Sequence, residues 1–279
     1  MTRDVDVLTS ATLKHLRDRW WDEAFTTFLF ETLQPRPGQR ILDAGCGTGT
    51  AAVNLSRRRL PQVQLFGVDL LLDRVTAAQT EVRSHNIRAG FACADICALP
   101  FADASFDSAF CVAVLQHIGD VPQAVAELAR VTRPGGRVVA VEPDNSARYF
   151  YSSVEEGRQA YDAAGRFFAG VRQTGGDAGD PGIGPRLPGL FAHAGIEPVD
   201  VHVFPVSRAQ LGVPEAEVWN TRRDAVLAAT KQAPDSIRRL GQDYLKVLDR
   251  YAEAAAKAGA AFVEVQNTML FATVGQRAE

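Results

Sequence analysis

Short apolar segments alternate with helical segments between residues 40 and 142, and this alternation restricts the possible folds more than any other feature. Apolar runs predict strands over residues 40–44, 63–69, 89–95, 106–113 and 136–142. Helical spacing of apolar residues predicts helices over residues 49–59, 73–85 and 121–132. Strands and helices that alternate in this way form a parallel sheet covered on both faces. The sequence therefore predicts an α/β fold.

The flanking regions have weaker patterns. Residues 1–36 place apolar side chains at helical spacings, which predicts a helical region at the amino terminus. In the second half, the patterns predict helices over 183–194 and 214–257, strands over 199–206 and 261–274, and a loose tract over 175–184. A chain of 279 residues can hold these segments as insertions in one large domain.

Composition argues against several classes of protein. The net charge of −3 is unsuited to a broad surface for nucleic acid, which requires a basic excess. No apolar run reaches the length of a membrane span, and the first residues lack the apolar stretch of a signal peptide. We therefore expect a cytoplasmic protein that binds neither membranes nor nucleic acid.

The cysteines lie in apolar stretches, and we interpret them as buried free thiols. They are Cys46, Cys93, Cys97 and Cys111. Cys93 and Cys97 lie close together, but the nearby sequence lacks the second ligand pair that a structural zinc site needs. The sequence predicts no metal site.

A glycine-rich turn follows the first predicted strand, in the segment Ile-Leu-Asp-Ala-Gly-Cys-Gly-Thr-Gly over residues 41–49. Glycines let the backbone lie close to a ligand, and the following helix presents N–H groups to it. The spacing differs from the Gly-x-Gly-x-x-Gly of dinucleotide-binding proteins, because position 50 is threonine. The Asp43 carboxylate before the turn favours a cationic ligand over a pyrophosphate. S-adenosylmethionine, with its ammonium and sulfonium groups, has the matching charge.

Two more acids end the next two predicted strands. Asp69 stands where Rossmann-like sheets accept hydrogen bonds from ribose hydroxyls. Asp95 can accept a hydrogen bond from an adenine amino group while Ile96 packs on the base. Each acid alone could be a helix cap or a turn residue. Three acids at successive strand ends, after such a turn, indicate a nucleoside-containing ligand.

These motifs resemble the class I S-adenosylmethionine-dependent methyltransferases, and more closely the small-molecule methyltransferases of type 11. The matching residues are 43–49, 67–69, 94–96, 99–101, 106–107, 114–117, 128 and 133–136. Leu71 departs from the pattern, because many relatives have serine there. The resemblance implies a Rossmann-like sheet of seven strands in the order 3-2-1-4-5-7-6, with strand 7 antiparallel and helical lid insertions.

The resemblance also implies which residues hold the cofactor S-adenosylmethionine. Asp43 and the glycine turn hold its methionine end, Asp69 its ribose and Asp95 its adenine, while Val112 contributes backbone near the methionine part. The full predicted set is Asp43, Gly45, Cys46, Gly47, Thr48, Gly49, Asp69, Leu70, Asp95, Ile96, Val112 and His117.

The catalytic and substrate residues are less defined by the sequence. His117 is the candidate general base, because the pKa of imidazole suits proton transfer, although it could instead orient its loop. The candidate substrate contacts are Trp20, Trp21, Glu142, Tyr149, Tyr151 and Trp219. The alternatives are that the aromatic residues pack in the core and that Glu142 caps a turn.

The predicted layout is one methyltransferase domain over residues 1–279. Its parts are a helical lid over 1–36, a cofactor-binding core over 37–145, substrate-cap insertions over 146–182 and 207–259, and the rest of the sheet over 183–206 and 260–279. The insertions follow carboxyl ends of strands, where open α/β sheets bind ligands.

The predicted function is methyl transfer, by in-line displacement, to a small acceptor that is apolar or aromatic. A nicotinamide oxidoreductase is disfavoured by the glycine spacing and by Asp43. The alternatives that stay open are a methyltransferase for nucleic acid or protein and a non-catalytic scaffold that binds S-adenosylmethionine. No Asn-Pro-Pro-Tyr-like sequence, as used in amino-group methylation of nucleic acids, follows Asp107. The sequence indicates no oligomeric state.

Overall fold

A computed structural model of the protein describes residues 20–58, 62–174 and 179–279. The strands are β1 (Arg40–Ala44), β2 (Gln64–Asp69), β3 (Ala89–Cys93), β4 (Phe106–Val112), β5 (Thr132–Ser152), β6 (Ile196–Leu211) and β7 (Val263–Arg277). Over the described residues these strands form one sheet in the order β3-β2-β1-β4-β5-β7-β6, with β7 antiparallel. The predicted α/β class, strand order and strand direction are confirmed.

The α-helices that the structure describes are α1 (Glu23–Leu33), α2 (Thr50–Ser56), α3 (Leu72–Ser84), α4 (Val121–Val131), α5 (Glu155–Thr174), α6 (Leu187–His193), α7 (Ala216–Thr230) and α8 (Asp235–Ala258). Aspartate side chains cap the starts of α1 and α4. Helix α4 begins after Asp120, whose Oδ1 accepts a hydrogen bond from Gln123 N at 3.0 Å. Among the residues described, none of the helices combines the length and the apolar character needed to cross a bilayer.

Parallel pairing brings the carboxyl ends of the first strands to one edge of the sheet. Asp43 of β1 stands opposite Gly67 of β2 and Phe110 of β4, and Asp69 of β2 stands opposite Cys93 of β3. This edge is where open α/β sheets bind their ligands. The sheet therefore places the predicted site residues of β1 and β2 at neighbouring strand ends.

The described residues divide into two compact units. The sheet unit comprises the described residues up to 146 together with 179–204 and 269–279. Its core is apolar and includes Leu42, Val68, Phe106, Leu128 and Val138. The helical unit comprises residues 147–174 and 205–268, and its core includes Phe167, Trp219, Leu248, Tyr251 and Phe262.

A buried carboxylate organises the helical unit. The side chain of Glu264 on β7 is 1% exposed and receives two hydrogen bonds from Arg222 of α7, at 2.7 and 3.1 Å. Tyr251 of α8 donates a further bond at 2.7 Å. Burial opposes ionisation of Glu264, but the hydrogen bond and charge of Arg222 outweigh it and lower the pKa of this carboxyl group. The Glu264 carboxylate thus links α7 and α8 to β7.

Several elements differ from their predicted bounds. Strands β5 and β6 are longer than the periodicity indicated, because their added residues are largely exposed and carry no apolar alternation. Strand β7 begins at residue 263 and ends at residue 277, later at both ends than predicted. Helix α5 lies in a region with no helix predicted. Gly157, Gly165 and Gly170 weaken its helical pattern, and its buried face consists largely of small residues.

The interpretation of all cysteines as buried thiols is wrong for Cys93, which is exposed. Cys93 ends β3, the strand at one edge of the sheet, where only one neighbouring strand covers it. Cys97 is half-buried, and Cys46 and Cys111 are buried as expected. Among the described residues, His, Cys, Asp and Glu side chains form no group of three or more placed to hold a metal ion.

Candidate functional site

The glycine turn lies between β1 and α2, and its glycines differ in their surroundings. Gly45, Gly47 and Gly49 all have positive φ, at 87°, 53° and 87°, where residues with a Cβ are disfavoured. A Cβ on Gly45 would overlap Val114 Cγ2, and a Cβ on Gly49 would lie 3.2 Å from Ala78 Cα. A Cβ on Gly47 would meet no atom within 4 Å. The backbone at Gly47 is therefore open to a ligand.

Asp43 is the most unusual residue of the site electrostatically. Its side chain is buried, with 3% exposure, and its Oδ2 has no hydrogen-bond partner among the described residues. Burial, followed by the negative charge of Asp69, raises the pKa of Asp43 to about 8. An unpaired buried carboxylate is costly, so this atom indicates a missing cationic or hydrogen-bonding partner.

This raised pKa predicts how stability depends on pH. The unfolded Asp43 releases its proton near the ordinary value of 3.8, whereas the folded protein retains it to about pH 8. Across this window the folded state binds more protons, so the contribution of Asp43 to the free energy of unfolding falls as pH rises. Asp43→Asn removes the contribution. We therefore expect the stability of the variant relative to the unaltered protein to increase between about pH 5 and pH 8, measured by urea unfolding. A difference independent of pH would contradict this.

Asp69 holds together the turn and the helix that follows β2. Its Oδ2 accepts a hydrogen bond from Gly47 N at 3.0 Å, and its Oδ1 accepts one from Leu71 N at 3.0 Å. The donor of the second bond is the backbone N–H of Leu71, the residue just before α3, whose apolar side chain supplies no cap to that helix. A carboxylate oxygen has two lone pairs, so both atoms can still accept a bond from a ribose hydroxyl. Leu70, beside it, is 37% exposed.

The predicted adenine residues follow β3. Asp95 Oδ1 accepts a hydrogen bond from Cys97 N at 2.9 Å, which closes a turn. The Ile96 side chain is 5% exposed and belongs to the core of the sheet unit. Contact of these residues with adenine stays a prediction.

The segment after β4 forms a short 3₁₀ turn over Leu115–His117. Ala113, just before it, has a φ of 57°, which is uncommon for a residue with a Cβ. Val112 is half-buried and His117 is exposed. Cys46 and Thr48, the remaining predicted residues, lie in the glycine turn. The structure thus brings the turn, Asp43 and Asp69 together.

The candidate substrate residues have different environments. Glu142 is completely buried, and its carboxylate accepts hydrogen bonds from the backbone N–H groups of residues 114–116. Trp219 is buried in the helical unit against Tyr251, whereas Tyr149 and Tyr151 are 56% and 48% exposed. Trp20 and Trp21 are half-buried in the sheet unit. Glu142 lies where a turn cap would lie and Trp219 where a core residue would lie, and these are the alternatives that the sequence left open. Their contact with an acceptor stays a prediction.

Two further residues shape the site and were not in the predicted set. A Cβ on Gly67 of β2 would lie 2.6 Å from the ring of Phe91 and 2.9 Å from Cys46 Cβ, so glycine allows the turn to pack on this strand. The signal for Gly67 was its place in the Gly-Val-Asp motif. Ala113 gave no signal, because alanine rarely adopts a positive φ.

Comparison with known proteins adds an independent line of support. Residues 42–140 match a family described as "Methyltransferase domain". The O-methyltransferase rstn1 of Aspergillus nomiae is 39% identical over 123 residues, which cover 43% of this chain and 53% of that protein. The chain spans about half the length, or less, of the first curated relatives that it matches.

Solved structures share the fold. Geranyl diphosphate methyltransferase in complex with S-adenosylmethionine has a TM-score of 0.52 and 16% identity, covering 91% of this chain and 85% of that chain. The [4+2]-cyclase SpnF has a TM-score of 0.51 and 18% identity, covering 91% of this chain and 81% of that chain. Because the two names describe different reactions, the fold alone does not determine the reaction.

Proposed function

We propose, from the premise that residues 42–140 form a class I S-adenosylmethionine-dependent methyltransferase domain, that the chain transfers a methyl group from S-adenosylmethionine to a small organic acceptor. The observation that carries the proposal is the buried Asp43 Oδ2, which lacks a hydrogen-bond partner among the described residues. It lies next to a glycine turn whose backbone is open at Gly47. A cationic amino acid group that is part of a nucleoside ligand meets both requirements.

The residues present fit this cofactor. Asp43 supplies negative charge for its ammonium, and Asp69 supplies acceptor lone pairs for its ribose. When bound, the cofactor supplies a methyl group on a sulfonium, which is already a good leaving group. The protein's main task is then alignment of the acceptor, which can lower a barrier by about 7–11 kcal/mol. His117 is the candidate base for an acceptor that must lose a proton, and its exposure leaves it accessible.

The proposed acceptor is a small apolar or aromatic molecule. The names of curated relatives, such as the O-methyltransferase rstn1, support a small-molecule acceptor. The net charge of −3 gives no general attraction for polynucleotides. Tyr149 and Tyr151 provide exposed aromatic surface in the helical unit, which supports an acceptor with an apolar or ring-containing part.

Calorimetry tests the cofactor assignment. We expect S-adenosylmethionine and its demethylated product S-adenosylhomocysteine to bind, and NAD to bind far more weakly. Asp69→Ala should weaken binding of S-adenosylhomocysteine by about 1–3 kcal/mol, because a charged acceptor is lost. Asp73→Ala is the matched control, since Asp73 is an exposed acid in the first turn of α3. Binding of NAD alone would contradict the assignment.

A transfer assay with labelled methyl groups tests the acceptor class. We expect label in small aromatic or apolar compounds and none in tRNA, DNA or protein. Label in a macromolecule would overturn the small-molecule assignment. Cofactor binding without transfer to any acceptor class would favour a non-catalytic scaffold.

A further inference from the structure

We propose that Glu142 is a positioning residue that holds the segment Val114–His117 beside the glycine turn and thereby sets the shape of the cofactor site. The inference rests on the proposed function, and the role that it assigns to Glu142 does not depend on contact with the cofactor or the acceptor. Glu142 Oε1 accepts hydrogen bonds from Val114 N and Leu115 N, both at 2.7 Å. Glu142 Oε2 accepts one from Gln116 N at 3.3 Å.

This arrangement requires a carboxylate. The three N–H groups lie at the start of a 3₁₀ turn, where no earlier turn supplies their acceptors. Both oxygens of an ionised carboxylate only accept hydrogen bonds, so Glu142 can serve all three donors. In the Glu142→Gln variant one oxygen becomes an NH₂ group, which would face either the Gln116 N–H or the pair at Val114 and Leu115. The isosteric amide therefore breaks part of the arrangement without changing its size.

The held segment packs directly on the glycine turn. The Val114 side chain occupies the space where Gly45 would carry a Cβ. Because valine is stiff at χ1, the position of the Val114 backbone determines where its methyl groups meet the turn. A shift of residues 114–116 would therefore move one wall of the turn that leads from Asp43 to Gly47.

Other contacts within the sheet unit hold the same segment. Asn145 Nδ2 donates to Gln116 Oε1 at 3.1 Å, and a Cβ on Gly179 would overlap Gln116 O. Residues 142 and 145 lie on the same strand, β5, on which Glu142 is fully buried. The segment is thus fixed from strand β5 and from the chain at Gly179.

Glu142→Gln tests the proposal, with Asp107→Asn as its control. Asp107 lies at the amino end of β4, and its Oδ2 accepts a hydrogen bond from Arg40 N at 2.8 Å. The control therefore changes a carboxylate that also accepts a backbone hydrogen bond, and that pairs with Arg133 at 2.7 Å, away from the carboxyl ends of the strands. Calorimetry with S-adenosylhomocysteine, at a temperature where both variants are folded, gives the affinity. Hydrogen exchange at the amides of residues 114–116 reports whether the segment is held.

We expect Glu142→Gln to weaken binding of S-adenosylhomocysteine about tenfold or more, which is the size of effect found for residues that orient the ligands of a metal ion. The amides of 114–116 should exchange faster in this variant. Asp107→Asn should lower the melting temperature and leave the affinity unchanged. Unchanged affinity in Glu142→Gln, alongside faster exchange, would overturn the proposal. Equal losses of affinity in the two variants would also overturn it, because they would reflect stability alone.

A milder variant covers the case in which Glu142→Gln does not fold. Asn145→Ala removes the bond to Gln116 Oε1, and we expect it to speed exchange at residue 116 and weaken binding of S-adenosylhomocysteine. Unchanged affinity with faster exchange would overturn the proposal here too. If the unaltered protein binds no S-adenosylhomocysteine, the proposed function itself fails, which is a separate result.

Discussion

Asp43→Asn should severely weaken the binding of S-adenosylmethionine while leaving the protein folded. Asparagine has the shape of aspartate, but it cannot carry the negative charge that would meet the cofactor's ammonium. Removing one partner of a buried charge pair costs about 3–5 kcal/mol, which corresponds to a loss of affinity of about 10²-fold or more. Calorimetry with S-adenosylmethionine measures this loss directly.

The same substitution should stabilise the ligand-free protein at pH 8, since burial, followed by the negative charge of Asp69, raises the pKa of Asp43 to about 8. Loss of binding together with a gain of stability distinguishes a ligand-binding carboxylate from a structural one. If Asp43 were a structural carboxylate, the substitution would lower both the binding and the stability. If Asp43→Asn bound the cofactor as tightly as the unaltered protein, the assignment of Asp43 to the ammonium group would be wrong.

Gly45→Ala should mainly lower the stability of the protein, whereas Gly47→Ala should mainly lower its affinity for the cofactor. At Gly45 the new Cβ meets Val114, and the φ of 87° is strained for alanine. The strain costs about 1–2 kcal/mol and the overpacking about 1–3 kcal/mol, so the free energy of unfolding should fall by about 2–5 kcal/mol. Urea unfolding of the ligand-free protein measures this loss.

At Gly47 the Cβ meets no atom within 4 Å, and φ is 53°. We expect the free energy of unfolding to fall only by the strain energy of about 1–2 kcal/mol. We expect a large loss of affinity, because the Cβ would occupy space proposed for the cofactor. Both variants are measured by calorimetry and by urea unfolding, so each serves as the control for the other. If Gly47→Ala left the affinity for S-adenosylhomocysteine unchanged, the cofactor would not lie against this backbone.

Much of the fold follows from patterns that act over short distances along the chain. Alternating apolar runs located β1 to β4, because a strand covered on both faces is apolar along its length. Asp43, Asp69 and the glycine turn were identified from their places at strand ends, where chain order implies spatial proximity in a parallel sheet. The complete strand order came from resemblance to a family. Strands β5 and β6 were predicted too short, because their exposed residues lack an apolar pattern.

Tertiary structure alone decided the electrostatics and the support of the site. The sequence contains an acid at position 43, but the absence of a partner for its Oδ2 depends on every described residue packed around it. Glu142 and Val114 are 28 residues apart in the chain, and only the pairing of β5 beside β4 brings Glu142 Oε1 to 2.7 Å from Val114 N. Cys93 was interpreted as buried from its apolar neighbours, and its exposure depends on which strand lies at the edge of the sheet. Periodicity reports which face of an element is apolar, whereas partners and burial depend on contacts between elements that are distant in sequence.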